Sequence, residues 1–210
     1  MTPKFFTFFI LSYFLISACS SAPPKKACEE KCKTKFGTCI GQSYQTKAYS
    51  NCNEKCVKHE MNFVFLENTN RELISGMKWQ CVEYARRWLI ENKNVTFADV
   101  QYAYSIWDLK SGERVDTNEE VPLFQFENNI SKTPPQVGDL LIYSSKIAIT
   151  GHVAIVAGVD DTSITIAEQN HSNDFWEGDN YSRRLLTEVD EEGRYRISDN
   201  ALIGWVRFVL

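Results

Sequence analysis

What the chain lacks narrows its possible roles first. The apolar stretch from Phe5 to Ile16 covers only twelve residues, whereas crossing a hydrocarbon core of about 30 Å takes about twenty. Membrane-spanning roles for a helix are therefore excluded. The ten glycines are scattered, so there is no glycine-rich loop to cradle a phosphate. With 23 Lys and Arg against 27 Asp and Glu, and a net charge of −4, no basic stripe points to nucleic acid. Histidines number three, so candidates for a neutral-pH base are few. No internal repeat shows, which excludes a solenoid. What remains is ordinary for a globular protein. Hydrophobic residues make up 43% and aromatics 13% of the 210 residues, enough for a real core and a length that suits one domain with an appendage.

The N-terminus reads MTPKFFTFFILSYFLISACSSAPPKK. A single positive charge, the apolar stretch and small residues after it make an export signal. Leu15-Ile16-Ser17-Ala18-Cys19 resembles the lipobox of bacterial lipoproteins. That resemblance implies removal of residues 1–18, lipidation of Cys19 and attachment to a membrane surface without crossing it. A plain secretory signal with an incidental cysteine is the alternative. By the same lipoprotein rules, Ser20 directs the chain to the periplasmic face of the outer membrane. Residues 19–27 then form the lipidated cysteine and a proline-containing tether.

A cysteine-rich segment follows over 28–60. Cys28 and Cys32 are four apart, as are Cys52 and Cys56. On helices each pair shares a face, and the two pairs are nested about Gln42. The spacing predicts a helical hairpin stapled by Cys28–Cys56 and Cys32–Cys52. Zinc held by the four thiolates is the competing reading, disfavoured by an oxidising destination. Cys39 fits neither pair.

Residues 61–210 read as one domain, helical first and strand-rich later, which gives an α+β class. Val82, Ala85 and Leu89 make a helical stripe after Cys81. DLLIYS (139–144), HVAIVAGV (152–159), SITIAEQ (163–169), RYRIS (194–198) and LIGWVRFV (202–209) read as strands. His59, among charged residues, and His171, in a polar loop, read as solvated side chains. His152 differs, because it opens an apolar strand. A turn centred on Asp160 would set it directly opposite Glu168, where a carboxylate can orient an imidazole; a two-residue turn would put Gln169 there instead. Cys81 opens a helix, where unpaired N–H groups favour the thiolate. Cysteine, histidine and a polar orienter, in that chain order, resemble the arrangement of papain-like thiol hydrolases; a structural cysteine and a structural His/Glu pair are the competing readings.

The run KWQCVEYARRWL, VTFADVQYAYSIWDL, PPQVGDLLIY, GHVAIV, IAEQN and LIGWV resembles the amidase domain of glutathionylspermidine synthetase/amidase, a CHAP-group amidohydrolase. The resemblance implies a papain-like CHAP fold, with N-terminal helices packed on an antiparallel sheet. It assigns Cys81 as nucleophile, His152 as general base, Glu168 as its orienter and Gln80 as an oxyanion donor. Arg86 and Asn170 fall near the substrate groove; a surface charge is the competing reading for Arg86. No metal or organic cofactor is implied. The substrate expected by kinship is a glycyl–polyamine amide, and by address a peptidoglycan stem peptide. A catalytically inactive lipoprotein keeping the fold is the reading from another class.

Overall fold

A computed structural model describes residues 27–210. The export signal, the lipobox with Cys19 and most of the tether lie outside the described residues. Within them, strands dominate and there is one α-helix, α1 (Cys81–Lys93).

The cysteine-rich segment is not helical. It is a looped chain carrying a short antiparallel ribbon, β1 (Cys39–Ser43) and β2 (Thr46–Tyr49), turned at Tyr44-Gln45. The predicted staples are present, Cys28 to Cys56 and Cys32 to Cys52, and they consume the thiols a zinc site would need. The four-residue spacing therefore does not mark a helical face; disulfides hold loops that need no periodic structure. Strand β2 instead follows a period of two, with Thr46 and Ala48 buried, while β1, irregular between Cys39 and Gly41, buries Ile40 and Ser43. Gly41 is no helix joint either. A Cβ there would lie 2.1 Å from Cδ2 of Trp176, so glycine leaves the room that the indole fills. Cys39 is a free, exposed thiol.

A second ribbon follows, β3 (Met61–Leu66) and β4 (Arg71–Met77), where helix was expected. Beyond α1 lie β5 (Val95–Thr96), a 3-10 turn at Ala103–Asp108, β6 (Ser111–Arg114), β7 (Glu120–Glu127) and β8 (Leu140–Tyr143). The chain continues through β9 (His152–Val159), β10 (Ser163–Ala167), β11 (Arg183–Val189), β12 (Tyr195–Ile197) and β13 (Leu202–Phe208). From β5 onward they form a nine-stranded antiparallel sheet in the order β12-β11-β10-β9-β8-β13-β7-β6-β5. Its central strands are covered on both faces, which explains the unbroken apolar runs in β8 and β9. Leu140, Ile142, Val153 and Ile155 pack with Tyr84, Ala85, Trp88 and Leu89 of α1. Leu141, Tyr143, Ala154 and Val156 turn to the other face, against Ile164, Leu185 and Trp205.

Helix α1 starts abruptly. Gln80, in extended backbone, is its N-cap without a side-chain cap, and Asn94 ends it in the left-handed region at φ 57°. Its charged residues are not all surface. Glu83 is fully buried and Arg87 nearly so, joined by bonds of 2.6 and 3.2 Å. Ser75, Asn62 and Gln169 donate to the same carboxylate, and the Lys47 carbonyl accepts from Arg87. A buried ion pair persists only with its remaining polar valences filled, and here strands β2, β3 and β4 and the segment after β10 fill them.

Candidate active site

Three elements converge on the N-terminus of α1. The helix supplies Cys81, β9 supplies His152 at its first residue, and the segment leaving β10 supplies Glu168. All three are buried. Gly151, at φ 67°, lets the chain enter β9 with its α-carbon against the Tyr143 carbonyl, where a Cβ would come within 2.6 Å. That tight entry aims His152 inward.

Nε2 of His152 lies 2.8 Å from Oε2 of Glu168, leaving Nδ1 to meet the Cys81 sulfur. The contact is the expected one, but its register is not. His152 pairs with Tyr143 on β8, and β10 pairs with β9 through Ala167↔Ile155 and Ile166↔Val156, after a bulge at Thr165/Ile166. Glu168 therefore reaches His152 diagonally from just beyond its strand. The turn is centred on Asp161-Thr162 rather than on Asp160, and side chains one diagonal apart still meet.

Burial pushes the Cys81 thiol up. The His152 charge and hydrogen bond, with the N–H groups of Val153 and Val82, outweigh that and bring it below its usual value. Burial conversely disfavours the His152 cation, but the Cys81 thiolate and the Glu168 carboxylate raise it to about 10. Both shifts favour thiolate and imidazolium over the neutral pair. Burial also disfavours an ionised Glu168, yet His152, His171 and Arg183 hold it well below the usual carboxylate range.

Sequence reasoning missed the groups that keep Glu168 ionised. Arg183 grips both carboxylate oxygens, at 2.6 and 3.2 Å, and Ser182 donates at 3.3 Å. Arg183 reaches Glu168 because β11 pairs with β10 at Ile166↔Arg183; no local pattern announces that. His171 is not simply solvated. Its ring centroid lies 5.4 Å from that of His152, its Nδ1 is 3.8 Å from Glu168, and burial lowers its basicity. His59 is exposed, as expected.

Gln80 is held from two sides. Its Oε1 accepts from Asn170 at 2.8 Å. Its Nε2 lies 3.4 Å from both Asn51 Oδ1 and the Cys56 carbonyl. Asn51 is itself fixed by donating to Cys56 O at 2.8 Å and by Asn173, which bonds Asn170 in turn. The disulfide-stapled segment thus grips the residue before the nucleophile. Asn170 meets Gln80 rather than the cleft beside Cys81. That cleft, about 350 Å³, runs between Val57, Met61 and Met77 on one side and Asp99, Val100 and Ala103 on the other. Arg86 does not line it. Its guanidinium lies 3.7 Å from Asp99 and over the Phe97 ring, a supporting position one layer back. Among the described residues no cluster of three or more His, Cys, Asp and Glu is arranged for a metal ion.

Residues 73–170 match the model of the CHAP domain. The chain is 35% identical over 169 residues to the trypanothione synthetase of Crithidia fasciculata, covering 77% of this chain and 24% of that one. It is 34% identical over 184 residues to the bifunctional glutathionylspermidine synthetase/amidase of Escherichia coli (strain K12), covering 81% and 29%. The chain spans less than a third of the length of these relatives.

Proposed function

The chain carries a CHAP domain over residues 73–170, one of the cysteine-dependent amidohydrolases, and from that premise we propose that Cys81 cleaves an amide between a glycyl carboxyl and a polyamine. The observation that carries the reading is that Cys81 and His152 are buried together at the N-terminus of α1, with Glu168 2.8 Å from the imidazole. The relatives' names supply the substrate class, since one includes a glutathionylspermidine amidase.

The chemistry follows from the geometry. Thiolate Cys81 attacks the amide carbon, and the carbonyl oxygen becomes an oxyanion. The Cys81 backbone N–H, unpaired as helix-terminal donors are, and the Gln80 amide are the donors in reach. Each donor aimed at an oxyanion supplies about 3 kcal/mol. The 3.4 Å contacts of Gln80 Nε2 are long enough to be exchanged for a shorter one. Imidazolium His152 protonates the departing amine, and the C–N bond breaks to leave a thioester on Cys81. His152, now neutral, takes a proton from water, which attacks the thioester and frees the acid. Glu168 stays ionised throughout, and Arg183 keeps it so.

The export signal and Cys19 favour a second reading, in which the same site cuts peptidoglycan stem peptides from a lipid-anchored position at the outer membrane. Incubating the chain and its Cys81→Ala variant with glutathionylspermidine and with muropeptides separates the two by mass spectrometry. Free spermidine made by wild type alone supports the first; cut stem peptides support the second. Neither product, together with slow alkylation of Cys81, sinks both.

A further inference from the structure

Ribbon β3–β4 buries one face and bares the other. Val64, Leu66 and Leu73 pack on Ile90 and Val115. The alternate positions Met61, Phe63 and Phe65, with Ile74 directly across from Phe63, form an outward row in which each side chain is 45–55% exposed. Glu72, opposite Phe65, is the charged member of that row. A ribbon that meets only water alternates apolar with polar; this one is apolar on both faces, and a contiguous exposed apolar patch marks an interaction surface.

Two further observations select its partner. The first is where the N-terminal segment joins. Cys28 is bonded to Cys56, five residues before Met61, and the intervening Val57 is itself half exposed. Ser20 to Ala27 link Cys28 to Cys19, and eight extended residues reach at most about 28 Å. A membrane that holds Cys19 therefore lies within reach of this row. The second is charge. Residues 20–78 carry ten Lys and Arg against six Asp and Glu, whereas residues 79–210 carry twelve against twenty-one. The acidic part of the chain is repelled by an anionic surface, and the basic cysteine-rich segment that precedes the row is drawn to it.

We propose that the outer face of β3–β4 docks on an anionic lipid surface and sets the orientation of the chain against it. A lipid anchor confines the chain to the surface but leaves it free to turn; an apolar face next to a basic segment picks one orientation. Met61 belongs both to the row and to the wall of the Cys81 cleft, so docking brings that wall to the lipid. The proposal rests on the lipidated reading of Cys19 and not on the choice of substrate.

The test uses the full, lipid-modified chain in vesicles of phosphatidylethanolamine and phosphatidylglycerol. Flotation reports anchoring, and hydroxyl-radical footprinting with mass spectrometry reports which side chains the bilayer covers. Phe63, Phe65 and Ile74 should oxidise on the order of tenfold more slowly with vesicles than without, while exposed Phe124 and Ile149 keep their rates. In the Phe63→Ser/Phe65→Ser variant, which still floats and keeps its thermal midpoint, protection of Met61 and Ile74 should be lost. A chain that floats while Phe63 and Phe65 oxidise as readily as Phe124 overturns the docking alone. One that does not float removes the anchor, and the docking with it. Protection that arises without vesicles and grows with protein concentration assigns the face to a second copy and also overturns the proposal.

Discussion

At the scale of single residues, the protonation of Cys81 is set by its neighbours rather than by burial. In wild type the charge and hydrogen bond of His152 hold the thiol below its ordinary value against burial, which favours the thiolate. In His152→Gln the burial penalty, which acts in the opposite direction, is opposed only by the N–H groups of Val153 and Val82. The alkylation rate of Cys81 with iodoacetamide should therefore rise with pH at an inflection that lies lower in wild type than in His152→Gln. Hydrolysis has a second limit. The leaving amine needs the His152 proton, and that proton is lost as pH passes about 10, so kcat should hold through neutral pH and fall on the alkaline side near that value. An alkaline limb near 7 would show that His152 is not raised. Cysteine and histidine were legible in the sequence as chemistry, because few residue types can do this work. Arg183 was not, because its role exists only through the pairing of two strands.

At the scale of elements, α1 is bound to the rest of the chain by a buried charge pair that the helical stripe did not reveal. Glu83 and Arg87 are both essentially inaccessible. Removing one partner strands the other without its counter-charge, so Arg87→Met should cost about 3–5 kcal/mol in urea unfolding. Glu83→Gln combined with Arg87→Met should cost less than Arg87→Met alone. The stapled segment contributes to the site through Asn51. Asn51→Ala removes one acceptor of the Gln80 amide, and amide hydrolysis should fall on the order of tenfold. Alkylation of Cys81 by iodoacetamide, which builds no oxyanion, should keep its rate. Equal loss in both would mean that Asn51 serves packing alone. The nested cysteine pairs were legible, but the helices drawn through them were not: a spacing of four fits a helical face, and a disulfide imposes no such periodicity.

At the scale of the whole molecule, the small cysteine-rich segment has few buried apolar groups of its own, and its disulfide cluster consists of Cys28, Cys52 and Cys56 with Cys32 and Phe36 against them. Its order rests on staples that close loops of sequence separation 28 and 20, each contributing about 2–4 kcal/mol by restricting the unfolded chain. Reduction should lower the thermal midpoint and depress hydrolysis before the sheet melts, because Gln80 leans on Asn51 and the Cys56 carbonyl. Circular dichroism and activity, followed together across a dithiothreitol titration, check the order of the two losses.

The sequence by itself determined the candidate site residues. A cysteine opening a helix, a histidine opening an apolar strand and a carboxylate after the next strand are local patterns. It also determined the central strands, since residues covered on both faces must be apolar whatever lies beyond them. Only the tertiary structure decided the rest. The diagonal meeting of His152 and Glu168 depends on a bulge, the ionisation of Glu168 on Arg183 from a strand that pairs with its own, and the setting of Gln80 on Asn51 from a distant loop. These are pairings between residues far apart in the chain. No short-range pattern encodes them, because the free energy that selects them is gained only when the sheet closes around them.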